Sequence, residues 1–248
     1  MSKPYSLIYQ RISSVFKKTS PIFKAISGII LFFVVVATFV LTFHIGGIGA
    51  AKVVSETPPI GTRLYFAATP GTCDGGGGTW TDYGAQITCL GTQTEISNAS
   101  SAPHLAGIFL KTIPGQLTFP SDYVIEVDLQ QAPTSSADFG IYFRNQPGQQ
   151  MGVYTFLIHP DGSWSAYVYD NSNGNQTEIK RGSFGVSHAF VKVDVTVIGD
   201  SFTLYENGHE VDNSNVIDNT YPNGTVGIAV DRGGTILASN FAIYTPNG

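Results

Sequence analysis

Two patterns of apolar and polar positions succeed one another along the chain. From residue 25 to residue 51 no Asp, Glu, Lys or Arg occurs, and the centre of that run reads IILFFVVVATFVLTF. A hydrocarbon core of about 30 Å needs about 20 apolar residues as a helix, so the run predicts one transmembrane helix with some tilt. Only a helix satisfies its own backbone amides in lipid. Beyond residue 61 the period falls to two. Residues 123–130 (YVIEVDLQ) set Ile125, Val127 and Leu129 on one face and Glu126 and Asp128 on the other, and 139–144 (FGIYFR) follow. Residues 153–159 (VYTFLIH) meet 164–169 (WSAYVY) across Pro160-Asp161-Gly162, and 190–198 (FVKVDVTVI) meet 201–206 (SFTLYE) across Gly199-Asp200. Both pairs carry hairpin turn chemistry. Asn207-Gly208 leads into a short HEV strand, and 225–230 and 238–244 flank Asp231-Arg232-Gly233-Gly234. Short strands between dense turn signals predict an all-β sandwich.

Charge divides the chain further. Residues 1–24 hold Lys3, Arg11, Lys17, Lys18 and Lys24 and no acid, which leaves 8 of the 13 basic residues against all 18 acidic ones beyond. Five cations on the N-terminal flank of the apolar run place that side in the cytoplasm. The expected organisation is a basic cytoplasmic tail (1–24), a span (25–51), a linker with Pro58 and Pro59 (52–61) and an extracytoplasmic β-sandwich domain (62–248). A cleaved signal peptide with GGIGAA as the cleavage region is the alternative, although the basic region is long and the apolar run exceeds the usual h-region of about 7–15 residues. The expected partner of 25–51 is the lipid bilayer; the acidic body argues against nucleic acid.

Cys73 and Cys89 bracket a glycine-rich loop (CDGGGGTWTDYGAQITC), and two cysteines in one exported domain predict a disulfide. No CxxC or histidine spacing supports zinc, and no GK[ST] follows the glycines to make a phosphate loop. His104, His159, His188 and His209 are scattered; His44 lies near the outer end of the span. The Asn/Asp-rich loops beginning at Asp170 and Asp212 leave calcium open as a ligand, without EF-hand spacing.

The segments DYVIEVDL, ADFGIYFRN, YTFLIHPDGSWSAYVY, IGDSFTLYENGHEV and GTVGIAV…SNFAIY, within about residues 120–246, resemble concanavalin A-like jelly rolls. Within that superfamily they are most similar to the domain related to 3-keto-disaccharide hydrolases, also grouped with laminin-G-like modules. The resemblance implies two antiparallel sheets face to face, one of them often a concave glycan-binding surface. Glycoside hydrolysis needs two suitably spaced carboxylates. Glu126 and Asp128 share a strand face and resemble part of the ExDxxE strand of laminarinase-like enzymes, but Gln131 stands at the third position. They are weak catalytic candidates, more simply read as a solvated row, as are Lys192 and Asp194. Binding chemistry is better represented. A flat ring beside Arg or Asn groups is the usual chemistry of a sugar site, and Tyr142, Arg144 and Trp164 are the expected exposed ligand contacts. The resulting expectation is a non-catalytic glycan-binding or sensing module. A glycoside-processing enzyme and a structural surface protein are the alternatives.

Overall fold

The computed structural model describes residues 57–75, 79–99, 101, 105–146, 152–170, 175–184 and 190–247. The basic tail 1–24, the run 25–51, residues 52–56 of the linker, and His44, His104 and His188 lie outside them. Five strands come first: β1 (Ile60–Ala67), β2 (Thr79–Tyr83), β3 (Gln86–Cys89), β4 (Thr94–Ser97) and β5 (Ala106–Thr112). The central strands are β6 (Tyr123–Gln131), β7 (Phe139–Asn145), β8 (Gly152–Ile158), β9 (Ser163–Asp170) and β10 (Asn175–Ser183). Then follow β11 (Phe190–Ile198), β12 (Ser201–Glu206), β13 (His209–Glu210), β14 (Val216–Ile217), β15 (Thr225–Val230) and β16 (Thr235–Pro246).

They form two antiparallel sheets. Sheet 1 runs β13-β12-β11-β6-β16-β4-β3, with β1 also on β16 and β14 also on β12. Sheet 2 runs β10-β9-β8-β7-β15-β5-β2. Period-two alternation builds the core between them. Ile125, Val127 and Leu129 of β6 and Val191, Val193 and Val195 of β11 turn inward from sheet 1; Ile141 and Phe143 of β7, Tyr154 and Phe156 of β8, and Ile228 of β15 meet them from sheet 2. Each such side chain contributes about 1.5–3 kcal/mol when fully buried. β16 is too long to keep one phase. A bulge between Ser239 and Ala242, with Asn240 at φ 53°, lets both Ala238 and Phe241 point inward.

The disulfide forms as expected. Cys73, in a 3-10 turn (Gly71–Cys73), bonds Cys89 at the end of β3 with a Cα separation of 5.5 Å. Closing a loop of this length contributes about 3 kcal/mol in the chain-entropy account. One boundary shifts: β1 begins at Ile60, inside the expected linker, and pairs with β16 out to Pro246.

Candidate functional site

Residues directly opposite each other in a ladder share a face, so the registers map the outward surface of sheet 2. One row crosses the sheet through Phe109, Gly227, Tyr142, Thr155, Tyr167 and Glu178. The next holds Gly107, Ala229, Gly140, Leu157, Ser165 and Arg181. In the middle the floor is apolar and flat. The rings of Phe109 and Tyr142 stack at 4.7 Å, and a Cβ at Gly107 would come within 2.8 Å of the Tyr142 ring. Ring and glycine therefore require one another. Thr155 sits in this floor between Tyr142 and Tyr167, and its buried hydroxyl has no partner among the described residues.

Toward β9 and β10 the surface becomes polar and open. Glu178 and Arg181 are three residues apart, a spacing that puts side chains on opposite faces of a regular strand. A bulge between Glu178 and Lys180 changes the phase, so that Glu178 faces Tyr167 while Arg181 faces Ser165. Arg181 Nε donates to Glu178 Oε1 at 2.7 Å, its Nη2 bonds the second carboxylate oxygen, and the Tyr167 hydroxyl donates to Oε2 at 3.2 Å. These bonds hold the Glu178 carboxyl below its usual range, Arg181 foremost. The half-buried Tyr169 lies one position further along the same strand face. The result is a strip of phenol rings edged by a bidentate ion pair.

Beside the strip, Asp138 Oδ2 lies 2.8 Å from His159 Nδ1, and His159 Nε2 lies 2.7 Å from Ser165 Oγ. The bond to Asp138 raises the imidazole pKa, partly offset by burial. The three groups have the connectivity of a hydrolytic triad but not its order of exposure. Ser165 is 1% exposed, whereas the His159 and Asp138 side chains are 20% and 30% exposed. The arrangement anchors an imidazole at the surface; it does not present a nucleophile.

At one end of β5, β7 and β15, interior strands of sheet 2, a cavity of about 790 Å³ opens beside Lys111 and Thr225, between the 118–122 loop, Gln146 and Asn223. Lys111 and Thr225 alternate with Phe109 and Gly227 and so belong to the outward face of the same sheet.

The three residues expected to contact ligand are all buried, which corrects that expectation. Tyr142 faces outward as read but lies flat under its neighbours at 3% exposure. Trp164 is an inward core residue, edge-on to Phe156 at 5.9 Å and packed so closely on Gly182 that a Cβ there would stand 2.6 Å from its Nε1. Arg144 sits at a β7 bulge with φ 49°, its guanidinium 4.9 Å from the Phe202 ring centroid. It donates to the carbonyls of Tyr221 (3.0 Å), Ser121 (3.4 Å) and Gly199. Alternation suggested none of this, because one extra residue redirects the side chain inward.

Glu126 and Asp128 occupy the outward face of sheet 1. Lys192 Nζ bonds Glu126 at 2.6 Å and Asn240 Nδ2 donates to Asp128 at 2.8 Å. Asp194, read as solvated, is instead fully buried opposite Glu126, and neither of its oxygens has a hydrogen-bond partner among the described residues. The Asp212 loop spends its polar groups on the fold: Ser214 bonds Leu204, and Asn215 donates to Ser201 and Thr203. Residues 171–174 of the Asp170 loop lie outside the described residues. Among the described residues no three His, Cys, Asp or Glu side chains gather as metal ligands do.

No protein-family model matches the sequence, and no curated protein matches it. Solved structures do. The chain is similar to a carbohydrate-binding module (CBM66) from Bacillus subtilis at 13% identity and TM-score 0.56, over 68% of this chain and 98% of that one. A protein of unknown function with a galectin-like fold from Bacillus subtilis matches at 10% identity and TM-score 0.56, over 75% and 97%. The β-glucanase of Bacillus licheniformis matches at 10% identity and TM-score 0.50, over 75% and 98%. These likenesses agree with the two antiparallel sheets packed as a β-sandwich of the jelly-roll kind. At these identities the likeness speaks for architecture, and function must be argued from the site.

Proposed function

We propose that this chain is a membrane-anchored extracytoplasmic module that binds glycan without turning it over. The observation that carries the reading is the strip Tyr167–Glu178–Arg181 with Tyr169 beside it. Phenol rings offer the apolar face that a sugar ring stacks on, and the clamped carboxylate and guanidinium offer acceptors and donors for its hydroxyls. Because Arg181 and Tyr167 already hold Glu178, little side-chain freedom is lost on binding. Anchoring through 25–51 rests on the uncharged apolar run and its basic flank.

A glycoside-processing activity, which the narrower likeness to 3-keto-disaccharide hydrolases implies, is the second reading. Its one favourable observation is Asp194, which places a third carboxyl opposite Glu126 on the neighbouring strand.

The test is a glycan-array screen of full-length protein in a non-glycosidic detergent, with Tyr167→Ala and Arg181→Ala for comparison. Binding without product release, weakened at least about tenfold in both variants at unchanged melting temperature, is the expected result. Folded wild-type protein that retains no glycan would sink the proposal.

A further inference from the structure

The cavity at the ends of β5, β7 and β15 is lined by none of the strip residues and has a composition of its own. Among the described residues its lining holds one basic group, Lys111, and one acidic group, Asp122. The other described lining residues include hydroxyls (Thr118, Ser121, Thr225), amides (Gln146, Asn223) and the apolar Phe119. Low charge, paired amides and an aromatic wall suit a neutral hydroxyl-rich ring, and about 790 Å³ falls within the range of about 300–1,000 Å³ typical of small-molecule sites.

The walls are held in place from behind. The buried Arg144 guanidinium ties together three segments by their carbonyls: Ser121 of the β5–β6 loop, Gly199 of the β11–β12 turn and Tyr221 ahead of β15. Asp122 Oδ1 accepts from the Gly199 amide at 3.0 Å, bracing the same loop again. Gln146 Nε2 donates to Arg144 O at 3.1 Å and also to Asn223 O, joining the β7 end to the loop opposite. Gly224 packs so tightly here that a Cβ would stand 2.4 Å from the Arg144 carbonyl carbon. Arg144 itself adopts φ 49°, a backbone region that costs a non-glycine residue about 1–3 kcal/mol and persists only where the surroundings enforce it. Such strain gathers at ligand sites, and here it surrounds a preformed cavity.

We infer that this cavity is a second carbohydrate subsite, taking a neutral sugar residue of the glycan whose neighbouring part lies on the Tyr167 strip. The inference rests on the glycan-binding reading and adds to it a second point of contact across the same sheet face. Arg144 is then a positioning residue: it touches no sugar and sets the loops that do. Two subsites on one chain raise affinity for oligosaccharides over single sugars, since the second contact forms intramolecularly.

The experiment titrates full-length protein, in a non-glycosidic detergent, with cello-, laminari-, malto- and xylo-hexaose and with glucose, by calorimetry. Thr118→Trp fills the cavity from an exposed loop position, and Asn223→Ala removes one amide while keeping the carbonyl that Gln146 bonds. Both variants are checked for unchanged melting temperature. Weakening of hexaose binding by at least about tenfold in Thr118→Trp, and severalfold in Asn223→Ala, together with a loss in Tyr167→Ala, is the expected pattern. If Thr118→Trp binds as wild type while Tyr167→Ala fails, the subsite is overturned and the strip stands. If Thr118→Trp fails while Tyr167→Ala binds normally, the cavity stands alone as the glycan site and the two-subsite arrangement is overturned. Binding of no hexaose by folded wild-type protein overturns both.

Discussion

At Asp194, burial and the neighbouring Glu126 act in one direction, with Lys192 offsetting part of the effect and Asp128 adding to it. The carboxyl is pushed up to about 7 from an ordinary 3.8. In the unfolded chain it ionises near 4, so the folded state holds the proton longer as pH rises between the two values. Stability therefore declines across that interval, by about 1.4 kcal/mol per pH unit and on the order of 4 kcal/mol in all. Asp194→Asn keeps the shape and removes the charge. It is expected to raise the melting temperature more at pH 8 than at pH 4, and equal shifts at both would disprove the account. Gly140 makes the opposite kind of demand. A Cβ there would come within 1.9 Å of the Phe156 carbonyl oxygen. Gly140→Ala is expected to destabilise the domain by about 1–3 kcal/mol, read from urea midpoints.

Among the elements, many strands with inward apolar alternation are legible in the sequence, although β5, whose Ile108 and Leu110 also turn inward, is not among those read there. β6 to β9, β11, β12, β15 and β16 all show it, because one face of each must fill the core. β10 does not: NQTEIKRGS is an edge strand, mostly exposed, with almost no core face to mark it. β1 was hidden beside two prolines in what reads as linker. The site was harder still, because its decisive features are departures from alternation. Bulges turn Arg144 inward and bring Glu178 and Arg181 together, and neither leaves a compositional mark. Tyr167 and Tyr169 are visible as aromatics, and alternation already places Trp164 on the face opposite both; closeness in sequence, not phase, is what groups the three. The bulge yields its own prediction. Deleting Ile179 restores the regular phase with Glu178 and Arg181 two positions apart on one face, opposite Tyr167 and Ser165, and is expected to leave glycan binding within a few-fold of wild type. Loss of binding at an unchanged melting temperature would show that the bulge itself shapes the strip.

For the molecule as a whole, the acidic body and basic head suit different sides of a membrane. Full-length protein is expected to stay with the membrane after alkaline carbonate washing, and a chain lacking 25–51 to be released. Recovery of the full-length chain in the carbonate supernatant would disprove the anchor. Inside the domain, reduction with dithiothreitol is expected to cost about 3 kcal/mol of stability, measured by chemical denaturation. The position of that disulfide also governs how the domain meets mechanical load. A pull arriving from the N-terminal side reaches β1 first, whose ladder with β16 begins at Ile60. Loaded from that end, the ladder opens one rung at a time, like a zip. Peeling then arrives at Cys73, where the covalent link to Cys89 passes the tension directly to β3, which is paired with β4. The bond thus acts as a mechanical stop: an oxidised domain gives up its first strand under tension and holds, and a reduced one continues to unravel.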